Sequence, residues 1–248
     1  MPLFLLVCAY AISPAFTLCI DPGHPSENGS GNTVHNGLRE VAVVWDISQR
    51  LRQELADHPI KIVLTKRHEM EFVTNARRAE IANKARADLL IRLHADAGPG
   101  SGFTVYYPRK TGTANGISGP SKDVLEESAL AARAFFGPFS SALKRQLRSN
   151  GLRGDERTLI GARQGALTGS ILSKVPVLLV EMAFITDKKD AAWLAGDRNR
   201  HRMAKALAAG VLAVRSGLRT KTAFAELTRT PRYDSIKNRR QPAAHKRR

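Results

Sequence analysis

The sequence predicts an α/β domain: a mostly parallel sheet flanked by helices on both faces. Two observations carry this. Short apolar runs alternate with amphipathic helical stretches along the chain, the pattern of a sheet covered on both sides. The length of 248 residues and a hydrophobic content of 43% suit one such domain with short extensions.

Each element has its own warrant. The apolar run over 18–21 reads as a strand closed by Pro22-Gly23-His24, and a Gly/Ser/Asn-rich loop follows over 25–37. Val44, Ile47, Leu51 and Leu55 recur at helical spacing with charges between them, so 38–57 reads as a helix ended by His58-Pro59. A second strand is expected over 61–65, an Ala-rich helix over 74–87, a third strand over 88–94 and a fourth over 102–107. Residues 111–121 read as a polar, Gly-rich loop. A helical pattern over 123–149 is interrupted at Gly137-Pro138 and stopped by Asn150-Gly151. Residues 175–181 form a strongly apolar strand. The last helix is expected over 197–216, with Met203, Leu207, Val211 and Val214 on one face.

The two ends differ from this pattern. Residues 1–17 read as a secretory signal peptide, with an apolar run from Leu3 to Ile12 and a small-residue cleavage signal at Ser13-Pro14-Ala15. The usual basic stretch before that run is missing, and an uncleaved N-terminal strand is the alternative. Residues 18–218 make the single structured domain. Residues 219–248 read as a basic, disordered tail, because they carry ten Lys or Arg against two acids, with Pro231 and Pro242 breaking any helix.

The net charge of +17 favours polyanionic partners: nucleic acid, anionic lipid or the acidic polymers of a bacterial wall. No helix-turn-helix, zinc finger or RNA-binding aromatic pattern supports a specific nucleic-acid partner. Cys8 and Cys19 are the two cysteines, which excludes a four-cysteine zinc site, and with the leader removed no internal disulfide can form.

Three strands end in polar residues that are out of place in a core. The first runs through Asp21 into His24, the third through Arg92 into His94, and the last into Glu181. In an open parallel sheet the C-terminal strand ends open onto the crevice where ligands bind. Glu40, in the first turn of the helix after the Gly-rich loop, faces the same edge. Two histidines and a carboxylate form a standard catalytic zinc set with a fourth position for water, and a further carboxylate beside that water can act as a general base. Spacing alone leaves open which carboxylate does which.

Asp21-Pro22-Gly23-His24, Gly37-Leu38-Arg39-Glu40, Leu93-His94-Ala95-Asp96 and the block from Leu179-Val180-Glu181-Met182 to Thr186 resemble, in order, the signature blocks of the type-3 zinc-dependent N-acetylmuramoyl-L-alanine amidases. Val63-Leu64-Thr65-Lys66 and the run from Arg78 to Asp88 are similar as well. The resemblance covers about 18–218. It implies a six-stranded, mostly parallel sheet and one Zn2+ per chain held by His24, Glu40 and His94, with Glu181 as the catalytic carboxylate. The implied reaction cuts the amide between N-acetylmuramic acid and L-alanine in peptidoglycan or muropeptides, using zinc-activated water whose proton Glu181 takes and then passes to the departing nitrogen. The implied setting is periplasmic or secreted, and a monomer is expected. The basic tail is a candidate contact for an anionic wall or membrane surface.

Three departures bear on the site. Ala183 stands where the family has Gly, and Lys188 and Lys189 precede Asp190. Arg92 stands where a small residue is usual; it shares a strand face with His94, and either an acid pairs with it or it binds a carboxylate of the peptide stem. His35, in the Gly-rich loop, is a second candidate for substrate contact. Asp21 is expected to orient His24 or cap its turn, and Asp96 to steady the turn after His94. His58, His68, His201 and His245 read as ordinary surface or core residues. A zinc carboxypeptidase acting on stem peptides could use the same ligands, and a non-catalytic wall-binding regulator is the reading from another class.

Overall fold

The computed structural model describes residues 16–229. In chain order the elements are β1 (Phe16–Pro22), β2 (Val34–His35), β3 (Leu38–Arg39), α1 (Glu40–Glu54), β4 (Ile60–Leu64), α2 (Asn75–Lys84), β5 (Leu89–Asp96), β6 (Phe103–Tyr107), β7 (Gly112–Ala114) and β8 (Ile117–Gly119). They continue with α3 (Lys122–Ala142), β9 (Ser149–Gly154), α4 (Leu159–Gln164), α5 (Thr168–Ile171), β10 (Val177–Phe184), α6 (Lys188–Ala195) and α7 (Asp197–Arg229).

The main sheet has six strands in the order β4-β1-β5-β10-β6-β9. β4, β1, β5 and β10 run parallel, β6 is antiparallel to β10, and β9 is parallel to β6. The C-terminal ends of β1, β5 and β10 therefore meet at one edge.

The two faces are built differently. Leu18, Ile20, Leu89, Ile91, Leu93, Leu178 and Val180 form one inner face under Val44, Ile47 and Leu51 of α1, Phe135 and Phe139 of α3, and Met203, Leu207 and Val211 of α7. The other face is thinner, with Cys19, Leu90 and Val177 packed on Ala82 of α2 and on Ala87. Strand side chains alternate with a period of two. Continuing the thin face toward the C-terminal edge therefore gives Asp21 on β1, Arg92 and His94 on β5, and Glu181 on β10. Apolar residues give way to polar ones along the face that carries the smaller helices.

Several elements differ from the sequence-based expectation. Phe16 and Thr17, assigned to the leader, pair with Ile60 and Lys61 as part of β1; the rest of the expected leader lies outside the described residues. The helix expected to break at Gly137-Pro138 passes through Pro138, because Phe135 and Phe139 on either side are buried in the core. It stops at Ala142, and Ser149–Gly154 becomes the sixth strand. The loop over 111–121 holds a small hairpin, with Asn115 and Gly116 both at positive φ (52° and 76°) in the turn. α7 runs on to Arg229, so part of the tail read as disordered is helical; residues 230–248 lie outside the described residues.

Candidate active site

His24 follows β1 on a turn that the flanking glycines make possible. A Cβ at Gly23 would stand 2.5 Å from the His94 ring, and one at Gly31, which has φ +62°, would stand 2.5 Å from His24 Cβ. The Gly-rich loop thus folds directly over the imidazole. His24 Nδ1 donates to the Gly29 carbonyl at 3.0 Å, which leaves Nε2 as the lone-pair nitrogen facing Glu40.

Glu40 opens α1, and its carboxylate bridges the two imidazoles. Oε2 lies 3.3 Å from His24 Nε2, and Oε1 lies 3.0 Å from His94 Nδ1 while accepting the Ala95 N–H at 3.1 Å. The two rings meet edge to face with centroids 5.1 Å apart. One ligand atom from each of His24, Glu40 and His94 can be chosen so that all lie within 4.8 Å of one another.

This set fits a zinc ion. Bonds of about 2 Å in a tetrahedron put neighbouring ligand atoms roughly 3.3 Å apart, close to the separations seen at Glu40. His94 Nε2 is buried with no hydrogen-bond partner among the described residues. Burial pushes the His94 imidazole down despite the pull of Glu40, so it is the neutral form that ligates. At Glu40 burial pushes upward, but the His94 hydrogen bond and the two imidazoles outweigh it and hold the carboxyl below its ordinary range.

Glu181 lies opposite His94 on β5 and Thr104 on β6. Its Oε2 is buried without a hydrogen-bond partner among the described residues. Burial, followed by the charges of Glu40 and Asp96, drives its carboxyl well above the ordinary range.

The other sequence candidates separate. Arg92 is buried, donating from Nε to Asp21 at 2.8 Å and from Nη2 to Asn75. Of the two readings of Arg92, the acid partner is the one the structure shows. Asp21 does not touch His24. It is fully buried and binds Arg92, Arg78 and Thr65. Its partner Arg78 in turn holds the Pro22 and Pro25 carbonyls on either side of the histidine. Asp96 receives backbone hydrogen bonds from Ala97 and Gly98, and its own carbonyl accepts Ile185 N–H at 2.8 Å. His35 sits half-buried in the β2–β3 hairpin, and none of the described residues bonds its ring.

Sequence reading missed Asn36, Lys66, Asn75 and Arg78. Asn36 donates to the carbonyls of Ile185 and Thr186 at 3.0 Å each, tying the loop before Glu40 to the strand that carries Glu181. Lys66 could have been found, since it follows β4 at the same sheet edge as the other candidates.

Comparison with known proteins places the fold and the family. An N-acetylmuramoyl-L-alanine amidase of Mycobacterium tuberculosis is 26% identical over 220 residues, covering 77% of this chain and 83% of that protein. The amidase LytC of Bacillus subtilis is 28% identical over 200 residues, covering 79% of this chain; the match spans only 35% of LytC. The solved amidase Ami1 of Mycobacterium smegmatis shares the fold with a TM-score of 0.65 at 22% identity, covering 80% of this chain and 96% of that one. AmiC2 of Nostoc punctiforme does so with a TM-score of 0.63 at 23% identity, over 81% and 97%. Matched over residues 18–213, from the first strand into the last helix, the chain belongs to the N-acetylmuramoyl-L-alanine amidase family.

Proposed function

We propose that this chain hydrolyses the amide between N-acetylmuramic acid and L-alanine of peptidoglycan, with His24, Glu40 and His94 holding one Zn2+ and Glu181 moving the proton. The supporting observation is the convergence of two imidazoles and a carboxylate at one sheet edge, beside a buried carboxyl with an unpartnered oxygen.

When bound, zinc polarises the scissile carbonyl and acidifies water. The protein's own groups do the rest. The Gly29 carbonyl fixes the His24 tautomer, and Glu40 spans both rings. Glu181 Oε2 takes a proton from the attacking water and gives it to the departing L-alanine nitrogen. Burial, then the charges of Glu40 and Asp96, raise its proton affinity, which favours holding the proton between the two transfers. The substrate lies outside the cytoplasm, so the chain acts in the periplasm or after secretion, as a monomer. The basic tail holds it near anionic wall polymers or membrane.

The test is end-group analysis of purified peptidoglycan after digestion. New L-alanine amino termini are the expected product. Release of C-terminal stem residues instead would make the chain a carboxypeptidase, and no new ends with zinc bound would make it a non-catalytic wall binder.

A further inference from the structure

His24 lies between two buried cations that grip its backbone. Arg78 donates to the Pro22 carbonyl at 2.7 Å, the Pro25 carbonyl at 2.9 Å and the Val73 carbonyl at 2.9 Å. Lys66 donates through Nζ to the carbonyl of His24 itself and to that of Glu69 at 2.7 Å, with the ammonium 5.7 Å from the centre of the Trp45 ring. Each of these side chains is 1% exposed.

The two cations are compensated differently. Arg78 has Asp21 as a buried counter-ion. Lys66 has no carboxylate within ion-pair distance among the described residues, and its acceptors are neutral carbonyls and an aromatic face. Burying an ammonium this way costs stability, and a core needs no lysine there. His24, meanwhile, sits at φ 54°, a left-handed conformation that is costly for a non-glycine residue and persists only where surrounding contacts hold it. The Lys66 bond lands on the carbonyl of that same residue.

We propose that Lys66 is a positioning residue of the metal site: its ammonium holds the His24 backbone in the turn that presents the imidazole to Glu40 and His94. Arg78 secures the peptide units on either side, and Lys66 secures the one between. This rests on the reading of His24, Glu40 and His94 as metal ligands. Lys66 itself bonds only backbone, so it acts through His24.

The test measures zinc affinity by chelator competition on the full chain, alongside the melting temperature of the metal-free protein. Lys66→Met keeps the length of the side chain and its packing against Trp45 but removes the donors. Replacing a buried ion by an apolar side chain is often tolerated by the fold. Zinc binding is expected to weaken about tenfold or more, the usual range for losing a group that orients a ligand. Lys66→Gln, the second variant, retains one donor and is expected to fall between Lys66→Met and wild type. On a His24→Ala background Lys66→Met should change zinc affinity no further, because the residue it positions is gone. Wild-type zinc affinity in folded Lys66→Met overturns the proposal, as does Lys66→Gln binding zinc no better than Lys66→Met, or equal weakening with and without His24. If His24→Ala binds zinc as tightly as wild type, the metal reading fails and the positioning role falls with it. If His24→Ala loses zinc while the Lys66 variants keep it, only the positioning role is wrong.

Discussion

Glu181 is a buried carboxyl whose ionised form the fold disfavours, through burial first and then through Glu40 and Asp96. Its folded pKa lies above its unfolded value. The stability it contributes to the metal-free protein is therefore complete below the ordinary glutamate range and lost as pH rises through the folded value. Glu181→Gln should retain zinc, lower activity by roughly 10²–10⁴-fold, and raise the melting temperature of the metal-free protein at neutral pH. Calorimetry across pH checks the last point: the fall in wild-type stability toward neutrality should flatten in the variant. Asp21 works in the opposite direction. Burial raises its carboxyl, but Arg78 and Arg92 outweigh burial and hold it well below the usual carboxylate range. Its contribution is present above that range and lost as pH falls through the folded value. Asp21→Asn leaves two buried guanidinium groups short of their counter-ion and should cost about 3–5 kcal/mol at neutral pH, read by denaturant unfolding. At this scale His24, His94 and Glu181 were legible because each interrupts or ends an apolar run. The partner of Arg92 was not, because Asp21 is distant in sequence and only the pairing of β1 with β5 brings them together.

Among elements, the loop between β1 and α1 carries the tightest constraints. Gly31 has φ +62° and would drive a Cβ into His24 Cβ, so Gly31→Ala strains the backbone and displaces the imidazole together. Zinc affinity should drop while the β-sheet circular dichroism stays unchanged. On the thick face, a Cβ at Gly210 would stand 2.5 Å from the Phe135 ring, so that glycine sets the approach of α7 to α3. Gly210→Val should cost about 1–3 kcal/mol by overpacking, measured as a lower denaturation midpoint. The long apolar strands and amphipathic helices were readable from periodicity. β9 was not: Ser149-Asn150-Gly151-Leu152-Arg153-Gly154 lacks alternation, and it forms because β6 offers an open edge. α6 was also missed, although Asp187 accepts from the N–H groups of Lys189 and Asp190 as a side-chain cap, a signal present in the sequence.

For the whole molecule, the sheet gathers residues from β1, α1, β5 and β10 at one edge, and the chain carries a net charge of +17, which under the proposed function favours an anionic wall surface. Sedimentation with insoluble peptidoglycan should weaken as salt rises from 0.05 to about 0.5 M, since the Debye length shrinks over that range. Truncation after Leu218 should reduce the salt-sensitive part. The fold class followed from the order of elements, and the strand ends pointed to His24, His94 and Glu181 at one edge; the candidate ligand set itself came from the family resemblance, because spacing leaves the roles of the carboxylates open. The buried support under His24 was not legible, because burial of Lys66 and Arg78 is decided by packing between distant segments.

The most direct measurement is zinc content of the purified full chain together with its release of L-alanine amino termini from peptidoglycan, for wild type, His94→Ala and Glu181→Gln. The expected result is about one zinc per chain in wild type and Glu181→Gln, much less in His94→Ala, and activity in wild type alone. Undiminished zinc in His94→Ala, or full activity in Glu181→Gln, would contradict the account.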